Sequence, residues 1–442
     1  MKKNFFRIIC AIICLSLLCP VLAGCVSDEP QETRPVTEPD YDPMKGVEIE
    51  YLTAREFNPS REAGKVSDEF REAAADFAMK LLNESRSEYE GDALLVSPLS
   101  ALLALAMTAN GAEGETLAEM EKVLGGGISI EELNKQLFNY SASLSSTADA
   151  KFNLANAVWV TSSPTFSINR NFIKAIENTY NADVIAADLP SAIPAINNWA
   201  KEETFGMIPS ILKEGDLNKD TIMVLLNALA FDALWQQQPS DSACFDGDFK
   251  GVDEKVQTAK FMWAEANGYI EGKNEVGIVK NYKGGKYAFV ALLPEGNVYD
   301  YAASLKGEDF LKLYDKRETK NVEISVKMPH FSFDCSIKMN KVLNKMGMPI
   351  AFDSSRADFD AMGHSELGNI YISRVIQKTH IDLDNSGTRA AAVTAVIMDA
   401  ESAAPGNIKY YRVELDRPFV YAIVDTETGL PIFLGICDNI NQ

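Results

Sequence analysis

Three histidines, His330, His364 and His380, stand among many serines and carboxylates, so a Ser-His-Asp hydrolase is the first chemistry to consider. The members of such a triad meet only in space, and sequence order cannot exclude one. No GxSxG elbow raises any serine above the others, however, and neither a Walker A loop nor an HExxH pair occurs. Gly125-Gly126-Gly127 lacks the spacing of a dinucleotide-binding loop and reads as a helix stop. Paired carboxylates carry no signal where 63 acidic side chains face 42 basic ones. Conventional catalysis is therefore not expected, nor a cofactor, nor a metal site with so few histidines. One stretch is chemically unusual. Asn385-Ser386-Gly387-Thr388-Arg389-Ala390-Ala391-Ala392-Val393-Thr394-Ala395-Val396-Ile397-Met398 comes directly after a strand-like run and is expected to continue it, but in small residues. Alanine-rich runs are usually helical or, as linkers, flexible. Gly387 and the β-branched Thr388, Val393, Thr394, Val396 and Ile397 weigh against a stable helix.

Strand side chains alternate between the two faces of a sheet. With Thr388 pointing inward, Ala390, Ala392, Thr394, Val396 and Met398 point inward as well. All but Met398 are small or β-branched, so a strand carrying them could slide into a preformed sheet without overpacking it. Arg389, Ala391, Val393, Ala395, Ile397 and Asp399 would lie on the opposite face. About 14 such residues would span roughly 46 Å.

The rest of the chain must position this segment. Composition is that of a folded protein, 46% hydrophobic and 24% charged. Lys2, Lys3 and Arg7 precede the almost wholly apolar residues 8–22, the pattern of a secretory signal that is short for a membrane span. Leu22-Ala23-Gly24-Cys25 resembles a bacterial lipobox, so residues 1–24 are expected to be a leader and Cys25 a lipidation site, an ordinary signal peptide being the alternative. Residues 25–65, with five prolines among many charges, read as an extended, largely disordered tether. Ser27-Asp28-Glu29 resembles the acidic export signal of surface lipoproteins, or is simply polar. The expected address is extracytoplasmic: lipid-anchored to a bacterial outer membrane or cell surface, with extracellular release the alternative. Loss of the leader takes three positive charges and moves the net charge from -21 to -24. A nucleic acid or other polyanion is thereby disfavoured as partner. Cys244, Cys335 and Cys437 remain and read as buried, small apolar residues.

Residues 66–442 read as one domain. Ser67 is a helix N-cap ahead of Phe70, Ala74, Phe77, Ala78 and Leu81 at helical spacing. Further helices are expected from Pro98 to near Gly111, over 115–124, 172–180 and 193–203. Strands are expected over 221–231, 287–293, 322–328 and 371–383, with a hairpin joining 419–424 to 430–435. Helices first and strands later argue α+β with large antiparallel or mixed sheets.

Several short motifs then agree in order and spacing. They are Ser97-Pro98-Leu99-Ser100 with Gly111-Ala112 and Thr116, Asn153-Leu154-Ala155-Asn156-Ala157, Ile196-Asn197-Asn198-Trp199 with Thr204 and Gly206, Asn227 with Phe231 and Trp235, Met328-Pro329-His330-Phe331, Leu343 with Met346-Gly347, Phe352 and Ala357-Asp358-Phe359, Gly387-Thr388 with its alanines, and Arg417-Pro418-Phe419. Together they resemble the serpins, a family of serine protease inhibitors, over essentially all of residues 66–440.

The resemblance implies three β-sheets surrounded by about nine helices with an exposed reactive-centre loop, and no enzymatic activity. A serine protease would attack a loop displayed over about residues 387–413 and form an acyl-enzyme. The freed arm, with Gly387, Thr388, Arg389, Ala390, Ala391, Ala392, Val393 and Thr394 as its hinge, would insert as a new central strand and carry the protease away before water releases it. Counting from Gly387 by the family's hinge length sets the reactive bond at Glu401-Ser402, with Ala400 and Ala403 as near alternatives. Glu401 suits a glutamyl-specific protease, and its alanine neighbours an elastase-like or subtilisin-like one. Ser97, Ser100 and Asn227 map onto the shutter, the polar cluster where the sheet opens, with Gln377 where a histidine is common and Ala93 where an asparagine is usual. Trp235 maps onto the breach, where the loop first enters. Asn385 and Arg389 stand where acids are common. A monomer is expected. The rival is a non-inhibitory member acting as a chaperone-like or ligand-binding surface lipoprotein, against which the small inward residues Ala390 and Ala392 argue.

Overall fold

A computed structural model describes residues 47–53, 63–388 and 407–440, apart from Glu90, Asp92, Ser145, Thr147 and Ala148. The chain divides between Asp42 and Pro43. The first unit contains residues 1–24 and Cys25, expected to be a leader and a lipidation site, which lie outside the described residues. The second unit shows nine α-helices and three large sheets among its described residues, with a small ribbon of Phe166–Ile168 and Gly363–Ser365.

Local chemistry accounts for the helix ends. The Ser67 hydroxyl accepts from the Phe70 amide at 3.1 Å and starts Asp68–Glu88. Ser97 caps Pro98–Ala109, whose proline stands where no helical N–H is needed. Gly114–Gly125 stops at Gly126, in the left-handed region at φ 66°. Strands form at Met223–Leu234, Tyr287–Pro294 and Val322–Pro329, and the expected hairpin pairs Phe419–Asp425 with Pro431–Cys437.

The seven-stranded sheet runs Ile49–Tyr51, Ala182–Ala187, Ala150–Thr161, Met223–Leu234, Gly387–Thr388, Ile376–Leu383, Phe331–Lys338. It corrects two expectations. Residues 49–51 belong to the body rather than to a tether reaching residue 65: they form the sheet's edge, antiparallel to Ala182–Ala187. Val47, Ile49 and Tyr51 are apolar at strand spacing, and they pack on the cluster containing Ile185, Ile196 and Leu226. Nor does the segment after Leu383 continue its strand. The Asp384 carboxylate accepts from the Ser386 and Gly387 amides at 2.6 and 3.1 Å, and the Asp384 amide donates to the Gly387 carbonyl at 3.0 Å. This aspartate turn folds the chain back, so that Thr388 pairs antiparallel with Leu383. That strand also begins later than expected, at Ile376.

Cys335 and Cys437 are buried free thiols, as expected, whereas Cys244 is only half-buried, because its strand is the edge of the four-stranded sheet. Beside Cys437 lies Asp438, fully buried, with Oδ2 accepting from the Tyr299 hydroxyl and Oδ1 lacking a hydrogen-bond partner. Burial raises its pKa to about 6. The folded chain therefore holds this proton more tightly than the unfolded one. This carboxyl's contribution to stability is fullest below about pH 4, where both states are protonated, and is lost as pH rises through about 6, by on the order of 3 kcal/mol. Asp438→Asn should remove this fall: the urea midpoint should rise at pH 8 and stay unchanged at pH 4. An equal shift at both values would show that ionisation of Asp438 is not the cause.

Candidate functional site

The strands Met223–Leu234 and Ile376–Leu383 are each fully paired on their outer edges, with Ala150–Thr161 and Phe331–Lys338 respectively. Between them the described residues place only the two-residue strand Gly387–Thr388, antiparallel to both. Below it runs a slot of about 670 Å3, walled by Leu225, Asn227, Gln377 and Thr379 and floored by Ser100 and Ala104 of the Pro98–Ala109 helix. It has the shape of a missing strand between two ready-made edges.

The mouth of the slot is built for close approach. A Cβ on Gly387 would lie 2.0 Å from the Ala233 carbonyl oxygen, so only glycine fits. Thr388 is 2% exposed and its hydroxyl is hydrogen-bonded to that of Tyr282. Tyr282 stacks on Trp235 with ring centroids 4.5 Å apart. The indole nitrogen of Trp235 donates to the Asp384 carbonyl at 2.8 Å and its amide to the Ser386 carbonyl at 2.9 Å. Asn385 donates to Asp241 at 3.0 Å.

Halfway down the slot lies a polar set. Gln377 accepts from the Ser97 amide at 3.0 Å and donates to the Ser97 carbonyl at 2.8 Å. The Ser97 hydroxyl reaches the Ile432 carbonyl at 2.9 Å and accepts from the Ser100 amide at 3.3 Å. Thr379 donates to the Leu95 carbonyl at 2.9 Å. On the opposite wall Asn227 donates to Asn156 at 2.7 Å, and Asn156 donates to the Tyr180 carbonyl at 2.8 Å. The buried Oδ1 of Asn227 has no hydrogen-bond partner among the described residues.

The family model described as "Serpin (serine protease inhibitor)" matches residues 72–440. The chain belongs to the serpin family. It is 28% identical to leukocyte elastase inhibitor A of Rattus norvegicus over 374 residues, 81% of this chain and 96% of that protein. The native-state crystal structure of the thermophilic serpin tengpin is 39% identical and superposes with a TM-score of 0.78, covering 86% of this chain and 96% of tengpin's. Its latent state is 37% identical with a TM-score of 0.75, covering 86% and 100%.

Of the residues that the resemblance maps onto the shutter, Ser97, Ser100 and Gln377 are in contact with one another through Ser97. Asn227 lines the same slot but bonds across its own sheet to Asn156. Asn156 and Thr379 also join the slot's polar set, and the sequence does not single them out. Asn156 stands in one of the short motifs, yet its role depends on a cross-strand register with Asn227, a residue 71 positions away. Ala93 is buried with no side-chain group to join the network. Trp235, which the resemblance maps onto the breach, stands at the mouth of the slot, and Tyr282 stacked on it is a neighbour that no motif marks. Arg389, Ala390, Ala391, Ala392, Val393, Thr394, Ala400, Glu401, Ser402 and Ala403 lie outside the described residues. The histidines are apart from the slot's polar set. His380 pairs with Asp334 at 2.9 Å across neighbouring strands. His330 faces the Cys244 sulfur at 4.0 Å, and burial lowers its pKa.

Proposed function

We propose that this serpin inhibits serine proteases as a suicide substrate, inserting its cleaved loop into the slot between Met223–Leu234 and Ile376–Leu383. The observation that carries the reading is the docked pair Gly387–Thr388 at the mouth of that slot, already antiparallel to both walls. Carrying its register forward sets Ala390 against Phe231 and Ile381, Ala392 against Leu229 and Thr379, and Thr394 against Asn227 and Gln377. Each inward position then meets a small side chain from the loop, and the partnerless Asn227 oxygen meets the Thr394 hydroxyl. Insertion must outrun deacylation, so trapping is a kinetic race.

The bait bond in this reading is Glu401-Ser402, Ala400 and Ala403 flanking it. The target is an elastase-like, subtilisin-like or glutamyl-specific serine protease. Cys25 carries lipid that holds the monomeric protein at an outer-membrane or cell surface. Mixing the mature protein with a panel of such proteases should give a complex that survives boiling in detergent, and mass spectrometry of the released C-terminal peptide should begin at Ser402. A clipped loop without complex from every protease would overturn the reading. Cys25→Ser should abolish membrane association; unchanged association would remove the anchor alone.

A further inference from the structure

Lys280 is 1% exposed, an unusual place for an ammonium. It lies on the strand Glu275–Asn281; Ile278, Lys280 and, just past the strand's end, Tyr282 share the inward face, and Ile278 and Tyr282 are fully buried as well. A leucine or methionine would fill the same space without the penalty of burying charge. The ammonium instead donates to the Gln237 and Glu265 carbonyls, each at 2.9 Å, and sits over the Trp235 ring, 5.3 Å from its centroid. Burial pulls its pKa down to about 8, with the Glu265 carboxylate opposing, so it stays charged at neutral pH.

These contacts tie the end of one wall of the slot to the neighbouring sheets. Gln237 comes just after the strand Met223–Leu234, and Glu265 belongs to Val256–Ala266 of the four-stranded sheet. The Gln236 amide donates to the Asn281 carbonyl at 3.0 Å and the Lys283 amide to the Leu234 carbonyl at 2.8 Å. The top of the 223–234 strand is thus sewn to the strand that carries Lys280. From the ammonium a line of contacts runs through the indole of Trp235 to the ring of Tyr282, whose hydroxyl holds Thr388.

We propose that Lys280 is a positioning residue for loop insertion: it holds Trp235 against Tyr282 and so maintains the platform on which Thr388 docks. The inference rests on the inhibitor reading above. Lys280 touches neither loop nor protease; it acts through the two rings. Lys280→Met keeps the volume and removes the charge. The platform then loosens, the docked pair is held less firmly, and insertion starts later. Deacylation gains in the race, while first attack on the loop is untouched.

The test is the partition of encounters between trapped complex and clipped inhibitor, measured with whichever protease the wild type traps. Lys280→Met should raise the inhibitor consumed per protease trapped by about five- to tenfold, with an unchanged rate of loop attack. Tyr282→Phe, which keeps the stacked ring and removes the hydroxyl, should raise the same ratio, and the double variant should be no worse than the poorer single one. Should Lys280→Met fail to unfold cooperatively, Lys280→Gln runs the same comparison with a neutral donor. A wild-type ratio in a folded variant, or effects of Lys280 and Tyr282 that multiply, would overturn the inference. A wild type that traps no protease would instead overturn the inhibitor reading.

Discussion

Cutting the loop once near Glu401 should raise the thermal unfolding midpoint by on the order of 20 °C or more. The inner edges of Met223–Leu234 and Ile376–Leu383 carry backbone groups that the docked pair meets only at Ala233, Leu234 and Leu383. A full strand between them would add ladder hydrogen bonds worth about 1 kcal/mol each. It would also bury the inward alanines, threonine and valine, each adding a favourable contribution of about 1 kcal/mol. On the inhibitor reading, a barrier keeps the uncut chain from this state while both loop ends are held, so that it persists kinetically and not at the free-energy minimum. Scanning calorimetry on intact protein and on protein nicked by a non-target protease checks this. Equal midpoints would mean that the slot never receives the arm.

Thr388→Arg should turn inhibitor into substrate. The side chain at this position is 2% exposed and faces the Tyr282 hydroxyl. A guanidinium there would be buried where only the Tyr282 hydroxyl is seen to bond the side chain, at a cost of several kcal/mol, and would have to enter the slot before anything else inserts. The yield of detergent-stable complex should fall by about two orders of magnitude while the loop is still cut at the wild-type rate. Trapping at the wild-type yield would mean that insertion does not run through Thr388.

Much of this arrangement is legible in the residues. Helix chemistry explains the caps at Ser67 and Ser97. The inward side of Thr388 is not given by alternation, because an extended run from the inward Leu383 would turn residues 385 and 387 inward instead, and only the turn at Asp384 reverses this. The strand Phe331–Lys338 alternates perfectly between buried and exposed, a pattern its sequence carries beyond the motif at its start. The hidden part depends on pairing between distant segments. Gln377 maps to the shutter, but that its amide clasps the backbone of Ser97 cannot be read from either residue. The edge strand Ile49–Tyr51 is three residues long amid prolines and charges, too short for periodicity to declare itself. The turn at Asp384 escapes a reading of Asn385-Ser386-Gly387 as strand, although all three are common turn formers. Lys280 stands at an inward position where alternation calls for an apolar residue, so its burial shows only once the strand is placed.

The docking of Gly387 and Thr388 bears on how the arm would travel. Bringing a loose segment to a sheet has an entropic penalty that is largely incurred at the first contact. Here that contact exists in the uncut chain, so insertion would proceed as elongation from a formed nucleus, like the closing of a zipper. Substitutions should then act by depth: one near Ala390 stalls the first step, whereas one near Val396 halts an arm that has already carried its passenger most of the way.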